Sequence, residues 1–173
     1  MSVVTVGISD CAVSRDPAAT LSTYALGSCI GVAVYDAVAG VAGLLHFMLP
    51  ESVLDLTKAQ NKPCMYADTG IPLLFRRAYE LGAQKQRMSV VIAGGAQVLD
   101  PSNTFNIGKK NHLAVRKILW KAGVMVNYED VGGTSPRNLR IEALSGSIFV
   151  SHGREEREIA QKVLVGKRTN HAI

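Results

Sequence analysis

Cys29 and His46 are the residues of this sequence whose surroundings best suit covalent chemistry. Cys29 lies in the segment GSCIG, where small residues on both sides leave room for a substrate to approach the sulfur. A thiol attacks as its thiolate, and free cysteine is only a few per cent thiolate at neutral pH. A nucleophilic Cys29 therefore needs a base, and His46 is the obvious choice.

The segment GSCIG has the spacing of the GxSxG nucleophile turn, with sulfur in place of oxygen. In that turn a helix follows the nucleophile. Here the segment IGVAVYD follows, and its alternation of small and branched apolar residues is typical of a strand. We therefore exclude the α/β-hydrolase fold and keep only the local feature, a reachable thiol at a turn.

A predicted hairpin brings the imidazole of His46 towards the sulfur of Cys29. Strands are predicted at 30–35 and 41–48, on either side of the turn DAVAG. Residues whose numbers sum to about 76 then lie opposite each other, which puts His46 opposite Ile30, one residue from Cys29.

The residues alone leave two interpretations of this pair open. His46 has apolar neighbours in AGLLHFMLP, so it is either a core histidine bonded to a backbone carbonyl or a base that faces a site. A hydroxyl or carbonyl at Ser22 or Thr23 would orient the ring in the second case. Cys29 is correspondingly either a structural cysteine or a nucleophile.

Other chemistries fit the sequence poorly. The segment GGAQVLD lacks the third glycine of a dinucleotide fingerprint and the Gly-Lys-Ser/Thr of a P-loop. The cysteines include no CxxC pair and the histidines no HExxH, so we expect neither a metal site nor a cofactor. The residues concerned are Cys11, Cys29, Cys64, His46, His112, His152 and His171.

The order of the predicted elements indicates an α+β domain, with helices packed on a largely antiparallel sheet. Strands are predicted at 3–8, 30–35, 41–48, 87–95, 124–129, 139–144 and 147–150. Helices are predicted from Asp68 or Thr69 to Leu81, with Pro72 in the first turn, at about 108–122, and at 154–170. We interpret 50–66 as a loop or lid.

Length and composition favour one globular domain over 1–173, which ends in a basic tail at 151–173. No segment has the length and apolarity of a membrane span or signal peptide, so we expect a cytoplasmic protein with reduced cysteines. The net charge of +5 is concentrated at 109–121 and 162–173. These segments are solvated faces or attract an acidic partner; they lack the series of aromatic residues, interleaved with the basic ones, that nucleic-acid binding would require.

Five segments in order, TYALGSCIGVAVYD, AGLLHFMLP, YADTGIPLLF, VVIAGGA and IGKKNHLAVRKIL, resemble the chemoreceptor glutamine deamidases of bacterial chemotaxis, the CheD family. The resemblance extends from about Val6 to Val150. It implies that Cys29 is the nucleophile, His46 the base and Thr23 the residue that orients the ring. Ser28 and Gly27 would lie beside the substrate and its oxyanion. Two loops depart from the family pattern, 94–108 and 131–146, and the departures concern substrate or partner contacts rather than the chemistry.

The resemblance implies a protein-glutamine glutaminase without cofactor or metal. It would convert selected glutamines of methyl-accepting receptors to glutamate through a thioester, with glutamyl methyl-ester cleavage as a possible side activity. The implied fold is similar to toxin-type cysteine deamidases, and the implied partners are receptor cytoplasmic helices and a CheC-type phosphatase. A non-catalytic regulator that binds receptors or that phosphatase, and a cysteine peptidase, are the alternatives.

Overall fold

The computed structural model describes residues 2–98 and 105–159 as two five-stranded sheets and three helices. The strands are β1 Ser2–Thr5, β2 Asp10–Ser14, β3 Ala19–Leu26, β4 Ile30–Asp36, β5 Val41–Phe47, β6 Met88–Gly94, β7 Tyr128–Val131, β8 Arg137–Glu142, β9 Ile148–His152 and β10 Glu155–Glu158. The helices are α1 Leu56–Asn61, α2 Ala67–Glu80 and α3 Ile107–Lys121, and 3-10 turns lie at Ser52–Leu54, Pro63–Met65 and Lys85–Arg87.

Sheet A has the strand order β1-β3-β8-β9-β10, and sheet B has the order β2-β5-β4-β6-β7. The pairs β1 with β3 and β6 with β7 are parallel; the other pairs are antiparallel. The predicted α+β class, with largely antiparallel sheets and flanking helices, is confirmed.

Sheet B is the middle layer, and it is buried on both faces. One face carries Val32 and Leu45 and packs against α2 and α3. The other face carries Ala33 and Leu44 and packs against sheet A. Burial on both faces explains why β4, β5 and β6 read as nearly continuous apolar runs, in which every residue is buried.

The predicted hairpin of β4 and β5 and the two longer helices are confirmed. α2 begins at Ala67, earlier than the predicted cap, so Pro72 lies inside the helix and not in its first turn. The interpretation of 50–66 as a loop was wrong in one part, because α1 and two 3-10 turns lie there; the Asp55 side chain accepts a hydrogen bond from the Lys58 amide at the start of α1.

The prediction of a helix at 154–170 was wrong at its beginning, where β10 pairs with β9 as an exposed edge strand. The rest of that predicted helix, with most of the predicted basic tail, lies outside the described residues. None of the described helices is long and apolar enough to cross a membrane.

Candidate active site

Cys29 lies in the bend between β3 and β4, and the end of β6 holds this bend from one side. The amide of Gly95 donates to the Cys29 carbonyl at 2.8 Å, and the amide of Ala96 donates to the Gly27 carbonyl at 2.7 Å. Gly94 has a φ of 118°, and a Cβ there would collide with the Cys29 carbonyl oxygen. Glycine at position 94 thus allows β6 to approach the bend closely.

Asn111 of α3 holds the same bend from the helix side. Its side-chain amide donates to the Ser28 carbonyl at 2.9 Å and to the Met48 carbonyl at 2.8 Å. The residue is fully buried. One side chain therefore ties the residue before Cys29 to the segment that follows His46, and it fixes their separation.

The hairpin register differs by one residue from the prediction, and the difference decides which face His46 occupies. Ile30 pairs with Phe47 and Gly31 with His46, so paired numbers sum to 77 and not to 76. Side chains alternate between the faces of a sheet. The predicted register would have put His46 on the face opposite Cys29; the observed register puts it on the face of Gly31, two residues from Cys29.

His46 faces the space between the sheets, where Thr23 of β3 meets it. The Thr23 hydroxyl lies 2.8 Å from Nδ1 of His46 and donates its proton to the Val6 carbonyl, also at 2.8 Å. A hydroxyl has one proton to donate, so Thr23 must accept from Nδ1–H. The neutral ring therefore carries its proton on Nδ1 and its lone pair on Nε2.

The Nε2 atom of His46 is buried and has no hydrogen-bond partner among the described residues. Burial lowers the pKa of His46 to about 4 and raises the pKa of the Cys29 thiol. At neutral pH the unliganded site therefore holds a neutral imidazole and a protonated thiol rather than an ion pair. An unpartnered nitrogen lone pair in such surroundings can accept a proton.

The backbone at the bend offers donors for a developing oxyanion. The Gly27 amide donates to the Ala25 carbonyl at 2.9 Å, so it is already engaged. In the described part of the chain, no other residue accepts from the amides of Ser28 and Cys29. Acyl transfer at an amide or ester carbon requires a sulfur nucleophile, a base and backbone amides that no other residue engages.

Arg137 of β8 closes the side of the site beyond β6. Its guanidinium donates to the Gly94 and Gly132 carbonyls at 2.5 and 2.7 Å, and its Nε lies 3.1 Å from an oxygen of Asp130. The second oxygen of Asp130 lies 2.9 Å from Nε2 of His152. The buried contact of Arg137 with the Gly94 carbonyl holds the Gly94 backbone, which lies against the bend.

The structure brings Thr23 and His46 together, and Cys29, in the bend before β4, packs against the apolar cluster on the side of sheet B that His46 faces. Sequence reasoning missed Asn111, although a signal was present. Asn111, Val115 and Leu119 are buried at a spacing of four on α3, so a polar residue stood at a core position of the helical pattern. No group of three potential metal ligands occurs within residues 2–98 and 105–159.

Comparison with known proteins places this chain in a family. The family model described as CheD chemotactic sensory transduction matches residues 48–152. A probable chemoreceptor glutamine deamidase CheD 1 of Syntrophus aciditrophicus is 52% identical over 160 residues, covering 92% of this chain and 100% of that protein. The chain belongs to the CheD family.

Other CheD relatives match over nearly the same length. Probable chemoreceptor glutamine deamidases CheD of Solibacter usitatus and Pyrococcus horikoshii are 45% and 39% identical, covering 92% and 86% of this chain and 94% and 91% of their own. A crystal structure of a Neisseria meningitidis protein of the DUF152 family model covers 77% of this chain and 64% of its own. Its TM-score is 0.49 and its identity 10%, so it supports no conclusion about this CheD chain.

Proposed function

We propose that this chain is a glutamine deamidase that acts on chemoreceptors, with Cys29 as nucleophile, His46 as base and Thr23 as the residue that orients the ring. The hydrogen bond between Thr23 and His46 carries the proposal, because its polarity leaves the Nε2 lone pair unpartnered on the sheet face that Cys29 shares. The names of the relatives, which are probable chemoreceptor glutamine deamidases, supply the substrate class.

The first half-reaction forms a thioester. Nε2 of His46 takes the thiol proton as the sulfur of Cys29 attacks the side-chain amide carbon of glutamine. The amides of Ser28 and Cys29 donate to the resulting oxyanion. The protonated ring then gives its proton to the nitrogen that leaves as ammonia.

The second half-reaction releases glutamate. His46 takes a proton from water, the hydroxyl attacks the thioester carbon, and the sulfur of Cys29 leaves and is reprotonated. The pKa of about 4 means that imidazolium is disfavoured by about 3 kcal/mol relative to an ordinary histidine. Proton transfer is therefore coupled to attack and to departure, and a stable thiolate–imidazolium pair does not precede substrate binding.

Incubation with a receptor cytoplasmic fragment tests the proposal. The fragment should gain about one dalton for each converted glutamine, since an amide becomes an acid. Cys29→Ala should abolish the gain, while Cys64→Ala, which alters a buried cysteine outside this site, should retain it. No mass gain with any receptor fragment would favour a non-catalytic regulator, and full activity of Cys29→Ala would exclude Cys29 as the nucleophile.

The proposed partners are the receptor cytoplasmic helices. Lys109, Lys110 and Lys117 are exposed on α3, and clustered positive charge attracts acidic protein surfaces. Reversing these three charges should weaken receptor binding and its dependence on salt; unchanged binding would remove α3 from the interface. Association with a CheC-type phosphatase stays a prediction from the family.

A further inference from the structure

Cys11 and Cys64 meet in the core on the helix side of sheet B, away from the proposed site. Cys11 lies on β2 opposite Leu45, and Cys64 lies in the 3-10 turn Pro63–Met65. Both belong to the same apolar cluster, and each keeps 5% of its surface exposed. They are therefore nearly covered, and a small part of each residue remains at the surface.

The two sulfurs and one guanidinium form a polar cluster. The Cys64 thiol interacts with the sulfur of Cys11 inside the same apolar cluster. Nη1 of Arg77 lies 3.1 Å from the same sulfur and 3.1 Å from the Cys11 carbonyl oxygen. The arrangement places a positive charge and a proton donor on one sulfur and holds a second sulfur in contact with it.

The charge distribution makes the two thiols unequal. The hydrogen bond from Cys64 and the charge of Arg77 lower the pKa of Cys11 to about 7, although burial and Asp10 act in the opposite direction. The pKa of Cys64 is raised by the same contact and by burial. At neutral pH the Cys11 thiol is thus partly ionised beside a protonated Cys64 thiol, the pattern of a reacting and a resolving cysteine.

We propose that Cys11 and Cys64 are a redox site, a dithiol that hydrogen peroxide converts to an intramolecular disulfide. The Cys11 sulfur attacks one peroxide oxygen, the O–O bond breaks, and the departing oxygen leaves as water, with Cys11 as a sulfenic acid. The Cys64 sulfur then attacks the Cys11 sulfur, the S–O bond breaks and a second water leaves. Two thiols are oxidised, and one peroxide is reduced to two waters.

Peptide mapping of the full-length protein tests the proposal. The reduced protein is treated with hydrogen peroxide at neutral pH, its free thiols are alkylated, and it is digested without reductant. We expect a cross-link between the peptides of Cys11 and Cys64, with the loss of two hydrogen atoms in mass, reversed by dithiothreitol. The cross-link should form before Cys29 is oxidised, because burial raises the pKa of the Cys29 thiol.

Variants test the separate roles. Cys64→Ala should leave a Cys11 sulfenic acid that a dimedone-type probe traps. Arg77→Gln should slow cross-linking on the order of fivefold, because the thiolate fraction falls. Arg76→Gln, at an exposed neighbouring position on α2, should leave the rate unchanged. Oxidation of both cysteines without a cross-link, disulfides only between molecules, or oxidation of Cys29 first would each overturn the proposal in the unmodified chain.

Discussion

Replacing Thr23 by valine should slow deamidation while preserving the shape of the site. Valine matches threonine in volume but removes the oxygen that accepts from Nδ1 of His46 at 2.8 Å. A buried donor without an acceptor costs about 1–3 kcal/mol. The ring can relieve this cost by moving its proton to Nε2, the atom that must act as base. Either outcome raises the barrier.

A barrier increase of that size corresponds to a rate between about 5-fold and about 150-fold lower. The assay is the rate of mass gain in a receptor fragment, measured well below the unfolding temperature of each variant. Thr23→Ser keeps the hydroxyl and should recover most of the rate. Nitrogen NMR of the His46 ring reports the tautomer directly, a signal that a merely structural role of Thr23 would not move.

Three results would refute this reasoning. Thr23→Val with the unaltered rate would show that the hydrogen bond does not matter to the reaction. An equal loss in Thr23→Ser and Thr23→Val would assign the effect to packing. A wild-type ring with its proton on Nε2 would contradict the tautomer inferred from the bond to Val6.

The remaining predictions concern pH and the backbone of the bend. Since burial raises the pKa of Cys29, its alkylation rate should rise roughly tenfold per pH unit from about pH 7 to about pH 8.5, and a plateau in that range would contradict the neutral pair. His46 has a pKa of about 4 when folded and about 6.5 when unfolded, so its contribution to stability is present above pH 6.5 and lost as pH falls towards 4. The free energy of unfolding, measured in urea, should therefore fall by about 2 kcal/mol more in the wild type than in His46→Gln between about pH 7 and about pH 4.5. The same dependence on pH in both proteins would refute this role of His46. Gly94→Ala should abolish activity because the added Cβ would collide with the Cys29 carbonyl. Gly82→Ala is the control: its φ of 97° is similar, but the space around the added Cβ is open, so local strain should lower the free energy of unfolding by only about 1 kcal/mol. Asn111→Ala removes two buried hydrogen bonds, so it should lower the free energy of unfolding by about 2 kcal/mol and also lower the deamidation rate. An active, equally stable variant would show that the bend keeps its conformation without Asn111.

The hairpin could be predicted from its apolar strands, but its register could not. The turn between Asp36 and Val41 holds four residues, and the Asp36 carboxylate accepts from the Val38 and Ala39 amides. Those local bonds set the register of β4 and β5, in which the numbers of paired residues sum to 77. A shift of one residue reverses the face of every side chain, so the sequence pattern alone could not decide the face of His46.

Contacts between sheets were beyond local pattern reasoning for a different reason. Thr23 and His46 lie on strands of different sheets, and no periodicity in either strand reports which sheets stack. The family resemblance proposed Thr23 as the third residue; the residues alone left Ser22 and Thr23 open. The segment EERE was predicted as helix because charged residues suit helix surfaces, but as an edge strand it is exposed throughout.

The division of the proposed site between two sheets has a consequence for how the protein loses function. His46 belongs to sheet B and Thr23 to sheet A, and their hydrogen bond crosses the interior that joins the layers. Any opening of that interior separates the His46 ring from the Thr23 hydroxyl that orients it, before any strand is lost. Loss of activity on heating should therefore coincide with exposure of the core between the sheets, and it should precede the loss of strand signal in circular dichroism.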